Sequence, residues 1–368
     1  MLLPLASLLI FVGTYTPKDG ASRGIYAVRL DPATGALSTA ELAAETPNPT
    51  FLALHPDGRV LYALGEGPAP DGKVTGGVAA FGYDASSGRL TPLNTRGTGG
   101  GGTTHLVADA TGRMLVTVSY NAGYVASFPL GADGRLGPVA SFIPQTGPPG
   151  PNPLRQEKPH PHSATLSPDN RFVFVADLGL DRVFAYRLDP AAGTLAPHDP
   201  AFIAVEPGSG PRHTKFSQDG RFFYILGEID GSITVCAYDD ARGAGTPVQH
   251  ISTLPAGFKV TDPDRAAEIR IHPNGRFVYA SNRGHDSIAV FSRNFADGTL
   301  ALVEFVPCGG KHPRNFALSP DGAWLVCANM DSDNLVSFKV DPASGRLTPT
   351  GHTTAVPKPV CVLFPPAP

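Results

Sequence analysis

The chain has 368 residues, of which 42% are hydrophobic, enough to bury a large core. Its formal charge is −3 and it has no basic block, which argues against a nucleic-acid partner because binding to the phosphate backbone needs clustered Lys and Arg. The 42 glycines and 38 prolines are in excess over an average usage of about 7% and 5%, and their even spread indicates many turns and few long helices.

The first predicted element is the apolar N-terminal run MLLPLASLLIFVGTYT. No Lys or Arg precedes it, no clear cleavage site follows it, and it is too short to span a bilayer. We therefore interpret residues 9–16 as a strand and expect a cytoplasmic protein with no membrane partner, a signal peptide in residues 1–10 being the alternative. The four cysteines lack CxxC spacing, which predicts neither a zinc site nor a disulfide framework.

A turn motif of the Pro-Asp-Gly-Arg type then recurs between pairs of short apolar strands. Its six copies are HPDGR (55–59), DATGR (109–113), SPDNR (167–171), SQDGR (217–221), HPNGR (272–276) and SPDGA (319–323). The spacing of 47 to 58 residues is typical of four-stranded propeller blades. A second motif predicts the hairpin between the third and fourth strands of each blade, at 31–37, 84–90, 131–136, 189–195, 295–300 and 341–347.

The two ends of the chain add a seventh blade to the six that carry a full turn. Residues 9–42 contain the second, third and fourth strands of a blade but no first strand, and the C-terminal segment 358–366 resembles the first strands of other blades. The sequence therefore predicts an all-β, single-domain protein over residues 1–368, a seven-bladed β-propeller closed by pairing of the C-terminal strand with the N-terminal blade. Closure would remove the exposed sheet edges.

Polar side chains concentrate at one face of this predicted ring. First strands begin, and second strands end, on the face opposite the turns, and first strands line the central channel. The polar residues there should therefore meet at the mouth of the channel, which is a natural site for a small molecule. They are His105, His160, His162, Arg212, His213, Glu268, His312 and Arg314 at strand starts, and Tyr15, Glu66, Tyr120, Asn121, Asp177, Glu228, Asn282, Arg283 and Asn329 at strand ends.

Each of these residues also has a structural interpretation. Asn121 and Asn282 tolerate left-handed backbone before a turn, and Asp177 could cap its own loop. The group as a whole points to a ligand, because several charges in a partly buried funnel are costly unless they pair or bind something.

The residue types suit the chemistry of an ester. Glu228 or His162 could act as the base that activates water, and Arg212 and Arg283 could stabilise an oxyanion or hold an anionic substrate. No GxSxG motif supports covalent serine catalysis. No cofactor is expected, although the H-x-H pair of His160 and His162 leaves a divalent metal open.

Segments 159–190, 210–228, 266–291 and 312–322 resemble the seven-bladed β-propeller lactonases, as do SYNAG (119–123) and FVGTYT (11–16). This family includes bacterial 6-phosphogluconolactonase and, as a relative, the fungal carboxy-cis,cis-muconate lactonising enzyme. The resemblance implies a catalytic set of four residues, which are His162 in PHSA, Arg212 in GPRH, Glu228 in ILGE and Arg283 in SNRG. As substrate-binding residues we expect His160, His213, Asn121, Asp177, Glu268, His312 and Arg314.

The resemblance is weaker in the loops 97–105 and 145–160, which we expect to shape the pocket and which leave the exact lactone open. The leading hypothesis is hydrolysis of a sugar lactone, 6-phosphogluconolactone or a plain aldonolactone, by a monomer or weak homodimer. A phosphate could be held by Lys311, His312 and Arg314. The alternatives are a lactonising isomerase acting on a muconate-like dicarboxylate, and a non-catalytic propeller whose rim binds a protein through an exposed apolar patch.

Overall fold

The computed structural model describes residues 7–68, 72–258 and 265–366, and within these ranges the regular elements are all β-strands. Blade 1 contains β1 (Leu8–Thr14), β2 (Gly24–Leu30) and β3 (Glu41–Glu45). Blade 2 contains β4 (Leu52–Leu54), β5 (Val60–Pro68), β6 (Val74–Tyr83) and β7 (Leu90–Gly97). Blade 3 contains β8 (His105–Ala108), β9 (Met114–Ser119), β10 (Tyr124–Pro129) and β11 (Ser141–Pro144).

Blade 4 contains β12 (Pro161–Leu166), β13 (Phe172–Asp177), β14 (Arg182–Asp189) and β15 (Thr194–Ala204). Blade 5 contains β16 (Pro211–Phe216), β17 (Phe222–Gly227), β18 (Ser232–Asp239) and β19 (Ala244–Ser252). Blade 6 contains β20 (Ala266–Ile271), β21 (Phe277–Asn282), β22 (Ser287–Arg293) and β23 (Leu300–Pro307). Blade 7 contains β24 (Pro313–Leu318), β25 (Trp324–Asn329), β26 (Asn334–Val340) and β27 (Leu347–Ala355), and β28 (Pro359–Leu363) ends the described strands.

The last strand closes the ring. β28 pairs antiparallel with β1, with Phe11 opposite Leu363 and Val12 opposite Val362, so that blade 1 has the strand order β28-β1-β2-β3. The described residues thus form seven four-stranded sheets, and the predicted all-β, seven-bladed propeller with this closure is confirmed. The apolar run near the N-terminus is the predicted strand, with Ile10, Phe11 and Val12 fully buried. The alternative of a signal peptide concerns in part residues 1–6, which lie outside the described residues.

A hydrogen bond of one kind, the inter-blade latch, recurs between neighbouring blades. The hairpin between the third and fourth strands of a blade holds a glycine with positive φ, and its carbonyl accepts a hydrogen bond from a side chain of the preceding blade. The donor and acceptor residues are Tyr62 and Gly134, Ser127 and Gly193, Tyr224 and Gly298, Tyr279 and Gly345, and Ser337 and Gly35. These latches lie at five of the seven junctions, and the last of them joins blade 7 to blade 1, where the ring closes.

First strands line the channel in layers, which positions the site. Residues five positions before each turn motif form the mouth layer, which contains Thr50, Thr104, His162, Arg212, Ala267 and Arg314. Residues one position further along form a second, deeper layer, which contains Phe51, His105, Ser163, His213, Glu268 and Asn315. Charged and polar groups of blades 4 to 7 therefore face one another across the opening.

Candidate active site

A cavity of about 1140 Å³ lies at the mouth of the channel. The glycine-rich loop 97–105 lines one side of the cavity through Gly99–Thr104, and Arg155 enters the cavity from the proline-rich loop 145–160. Both loops that we expected to shape the pocket therefore contribute to its wall. The other lining side chains that carry polar groups are Tyr15, Asn48, Thr50, Glu66, Thr75, Tyr120, Asn121, His162, Arg212, His213, Glu228, Arg283, Arg314 and Asn315.

Two glycines place Glu228 in this wall. Glu228 follows β17 directly, and its backbone N–H donates to the carbonyl of Gly210 at 2.8 Å. Gly210 has a φ of +64°, and a Cβ there would lie 2.6 Å from Ile229. A Cβ on Gly227 would lie 2.5 Å from the Asp230 side chain and 2.9 Å from the Ser209 carbonyl. The glycines of the GPRH and ILGE segments are therefore required by a close approach of two backbone segments.

The Glu228 carboxylate is shared by three guanidinium groups. Its Oε1 lies 2.5 Å from Arg155 Nη2, and its Oε2 lies 2.8 Å from Arg212 Nε and 3.3 Å from Arg283 Nη2. The Glu228, Arg212 and Arg283 residues are 3%, 2% and 7% exposed, so most of this cluster is removed from solvent. Strand counting and the family resemblance both placed these residues on one face, and the structure brings them into contact.

Backbone carbonyls fix the two buried arginines. Arg283 donates from Nε to Arg265 O at 2.8 Å and from Nη2 to Ala266 O at 3.0 Å. Arg212 donates from Nη1 to Ala267 O and to His213 Nε2, the latter at 3.2 Å. The guanidinium planes are thus oriented by the protein before any substrate arrives.

Charge and burial act in opposite directions on this cluster. Burial alone would raise the pKa of Glu228, but Arg283 and Arg212 more than offset it and hold that pKa well below its usual range. Burial lowers the pKa of Arg212 and of Arg283, and Glu228 opposes the decrease. Glu228 is therefore ionised, and it keeps the two buried arginines charged.

His162 completes the group as a neutral imidazole. Its Nε2 lies 3.8 Å from Glu228 Oε2, too far for a direct hydrogen bond. Burial, and then the positive charge of Arg212, lower its pKa well below the usual value. Its Nδ1 is buried without a hydrogen-bond partner in the described part of the chain. A water molecule between His162 and Glu228 would have an imidazole nitrogen on one side and a carboxylate on the other.

Two further arginines give the cavity an excess of positive charge. Arg155 also donates to the Tyr120 hydroxyl, and Arg314 donates from Nη2 to the Tyr15 hydroxyl at 3.0 Å while its guanidinium lies 5.4 Å from the Tyr15 ring centroid. Within the described ranges, Arg314 forms no ion pair with a carboxylate. Four arginines and two glutamates line the cavity, so with neutral histidines it carries a net charge of +2. Such a site favours an anionic ligand.

Of the expected substrate-binding residues, Asn121, His213 and Arg314 line the cavity. The other four do not, and each has a protein partner instead. Asp177 accepts the His160 N–H at 2.8 Å and the Gly179 N–H at 3.0 Å, which is the loop-capping interpretation, and burial raises its pKa to about 6. The His160 ring stacks on Tyr120 with centroids 4.2 Å apart.

The remaining two, His312 and Glu268, are also held by protein groups. His312 Nδ1 lies 3.2 Å from Asp331, and burial lowers the His312 pKa to about 4. Glu268 is fully buried in the second layer. The Lys311 side chain, which we expected to help bind a phosphate, is 73% exposed and pairs with Asp286 instead.

Arg155 is the one arginine of the cavity wall that was not expected from the sequence. It lies in the loop 145–160, whose path is not set by the blade repeat, and the only signal was that this loop departs from the family pattern. As for metals, the described residues contain no cluster of three or more His, Cys, Asp or Glu arranged to hold an ion. No helix in them could cross a membrane.

Comparisons of sequence and of structure relate this chain to one family of proteins. The pattern of the family described as "Lactonase, 7-bladed beta-propeller" matches residues 9–364. The 6-phosphogluconolactonase of Bacillus subtilis is 39% identical over 354 residues, which are 96% of this chain and 97% of that protein. The structure of a Pseudomonas aeruginosa periplasmic gluconolactonase has a TM-score of 0.90 at 35% identity, covering 99% of this chain and 100% of that one. A putative 6-phosphogluconolactonase from Bacteroides fragilis has a TM-score of 0.89 at 33% identity, covering 99% of each chain.

Proposed function

The chain belongs to the seven-bladed β-propeller lactonase family, and on that premise we propose that it hydrolyses 6-phosphogluconolactone or a closely related anionic aldonolactone. The observation that carries the proposal is the Glu228 carboxylate, bound by three guanidinium groups and 3.8 Å from a neutral His162 in the wall of the cavity. The Bacillus subtilis relative is named for the phosphorylated lactone and the Pseudomonas aeruginosa relative for gluconolactone, which defines the substrates to compare.

The first step is attack of water on the lactone carbonyl carbon. Water lies between His162 and Glu228, its proton moves to Glu228, and its oxygen bonds to the carbon while the carbonyl oxygen becomes an oxyanion. Arg212 and Arg283 bind that oxyanion. One negative charge therefore leaves the carboxylate and one appears on the substrate, within reach of the same cations, so the total charge among the arginines does not change.

The second step opens the ring. The tetrahedral intermediate collapses, the bond between the carbonyl carbon and the ring oxygen breaks, and the protonated Glu228 returns its proton to the departing oxygen. The product is an acyclic hydroxy acid, which ionises near neutral pH and releases one proton. The arginines that bound the oxyanion are then next to the carboxylate of the product. Product release requires that these arginines pair with the Glu228 carboxylate again.

The choice of Glu228 over His162 as the base rests on where charge appears. Burial and Arg212 hold the His162 pKa well below its usual value, so an imidazolium would form next to a cation. A proton on Glu228 instead neutralises a carboxylate at the moment when the arginines are needed by the oxyanion. His162 then positions the water. Glu228→Gln should lower turnover by about 100- to 10,000-fold, and His162→Gln by less.

The substrate anion is assigned to Arg314. Since Arg314 has no carboxylate partner in the described residues and is held over Tyr15, it can bind a phosphate group without breaking an existing ion pair. Arg314→Met should raise KM for the phosphorylated lactone by about 10-fold, the equivalent of one charge-assisted hydrogen bond, and leave KM for the plain lactone nearly unchanged.

A second candidate function is the lactonising reaction of a muconate-like dicarboxylate. The observation that favours it is the number of cations, since four arginines line the cavity and two carboxylates could be bound at once. Ring closure of such a substrate would change its ultraviolet absorbance, which distinguishes it from lactone opening.

The test is a panel of phosphorylated and plain aldonolactones followed by proton release in a pH-stat, with and without chelator. Hydrolysis of the phosphorylated lactone, unaffected by chelator and strongly reduced in Glu228→Gln, is the expected result. Glu45→Gln is the matched control, because Glu45 is on the outer strand β3 with a side chain that is 67% exposed. No proton release from any lactone would refute the proposal.

A further inference from the structure

Behind Arg212, in the second layer of the channel, lie two side chains that the reaction described above does not use. His213 is 4% exposed and Glu268 is fully buried. His213 follows Arg212 in the chain and lines the cavity, whereas Glu268 is enclosed and does not line the cavity. A carboxylate that is removed from solvent and from the cavity needs a role within the protein.

A continuous line of polar contacts joins Arg212, His213 and Glu268, in that order. Arg212 Nη1 donates to His213 Nε2 at 3.2 Å, and His213 Nδ1 lies 3.1 Å from Glu268 Oε2. Glu268 is in turn held by Arg270, whose Nη2 is 3.4 Å from Oε2, and by the Asn315 side-chain amide, which donates to the same oxygen. The line thus begins at Arg212 in the wall of the cavity and ends at a carboxylate that is held by Arg270 of its own strand and by Asn315 of blade 7.

The position of the proton on the His213 ring follows from the groups that can donate a hydrogen bond to it. A guanidinium has only N–H donors, so His213 Nε2 must accept and therefore carries no proton. Burial, and then Arg212, lower the His213 pKa to about 4, with Glu268 opposing, so the ring is neutral at pH 7. The single ring proton must then be on Nδ1, where the nearby Glu268 carboxylate stabilises it electrostatically, although the angle between the two groups is not that of a hydrogen bond.

We propose that His213 and Glu268 are positioning residues that fix the orientation of the Arg212 guanidinium for the reaction. Glu268 holds the proton of His213 on Nδ1, and the free Nε2 then holds Nη1 of Arg212. With Nε bound to Glu228 and Nη1 bound to Ala267 O and His213, the two N–H groups of Nη2 remain for the oxyanion. This inference rests on the proposed function, and it assigns Glu268 a role other than the substrate binding expected from the sequence.

The kinetic test compares two substitutions at one position. His213→Gln keeps an acceptor near the place of Nε2, whereas His213→Leu has similar volume and no acceptor. Since a displacement of about 1 Å can cost about 100-fold in rate, we expect His213→Leu to lower kcat by about 100-fold with KM within about 3-fold, and His213→Gln to recover most of that loss. Equal losses in both variants, or a loss confined to KM, would overturn the proposal.

A control variant separates positioning from packing. His105 lies in the same layer, is 6% exposed, and packs edge-on against His213 with the ring centroids 5.4 Å apart, but the hydrogen bond of its Nδ1 is with the backbone N–H of Ala164 and not with Arg212 or Glu268. His105→Leu should therefore keep kcat within about 3-fold, whatever it does to the melting temperature. A loss in His105→Leu as large as that in His213→Leu would show that the layer acts through packing alone.

A second measurement does not depend on turnover. Two-bond nitrogen–proton correlation spectra distinguish a histidine protonated on Nδ1 from one protonated on Nε2. The wild-type protein should show His213 as the Nδ1–H tautomer, and Glu268→Gln should show a mixture or the other tautomer together with a lower kcat. An Nε2–H tautomer in the wild-type protein would overturn the inference. If no lactone were hydrolysed but the Nδ1–H tautomer were found, only the proposed function would fail.

Discussion

Replacement of Glu228 by Gln removes the single carboxylate on which three arginines converge, and it should destabilise the fold as well as stop turnover. Two of these arginines are more than nine-tenths buried and cannot turn to solvent. Removal of one partner from a buried ion pair costs about 3–5 kcal/mol, because the remaining charge is left uncompensated. The amide of Gln keeps a hydrogen-bond acceptor but not the charge.

The size of the chain determines how this appears in a melting curve. At about 2.1 cal/mol/K per residue, a chain of 368 residues has an entropy of unfolding of about 0.77 kcal/mol/K. A loss of 3–5 kcal/mol therefore lowers the melting temperature by about 4–6 °C, a shift that leaves the variant folded under assay conditions. Loss of turnover in Glu228→Gln can then be attributed to the site.

The effect should depend on pH with a definite sign. The folded-state pKa of Glu228 lies well below its usual 4.5, so the stability from the ionised carboxylate is complete above pH 4.5. It is lost as the pH falls through the folded-state pKa, at about 1.4 kcal/mol per pH unit, or about 2 °C here. Gln does not titrate, and the melting temperatures of wild type and variant should therefore converge on acidification.

Differential scanning calorimetry at pH 7 and at several values between 5 and 3.5 provides the measurement. Glu45→Gln on the surface should change the melting temperature by less than about 1 °C at each pH. A Glu228→Gln variant as stable as wild type at pH 7, or a difference that grows toward low pH, would refute the charge balance described for the cluster.

Three further outcomes are expected. Tyr224→Phe removes the latch to the buried Gly298 carbonyl and should cost about 1–2 kcal/mol, or about 2 °C, at unchanged turnover; calorimetry beside the assay checks this. Gly210→Ala should cost more than about 1 kcal/mol and lower kcat, because its φ of +64° and its approach to Ile229 exclude a Cβ next to Glu228; wild-type stability and kcat would count against it. Burial raises the pKa of three cysteine thiols to about 11–12 and that of the fourth well above its usual value, so a thiol reagent at pH 8 should modify them only after denaturation; rapid labelling of the native protein would contradict this.

The number of blades could be predicted from the sequence because its signal is local. Each tight turn needs residues that accept positive φ, such as Gly58 at +72° and Gly322 at +73°, and these recur once in each of the six blades that are continuous in sequence. The closure of the ring could also be predicted, because an incomplete blade at one end and an extra strand at the other complete each other.

The details of the site were harder to predict from the sequence than the fold, because they depend on irregular backbone. Strand pairing shifts register between Pro211 and Thr214, and again between Ala266 and Ile269, so the simple alternation of side chains breaks down at the mouth. Arg212 and the adjacent His213 consequently both reach the cavity while Glu268 does not, although counting placed all three there. Arg155 depends on the course of a long loop that no periodicity describes.

The inter-blade latches all run in the same direction around the ring. A tyrosine or serine of one blade binds the hairpin glycine of the next, as Tyr62 binds Gly134 and Ser337 binds Gly35. A fragment cut at two latched junctions, such as blades 3 to 5, would therefore expose a donor without an acceptor at one end and an acceptor without a donor at the other, besides two bare apolar faces. Partial rings should accordingly be poor folding units, and a break in the chain of one blade would destabilise both neighbouring blades.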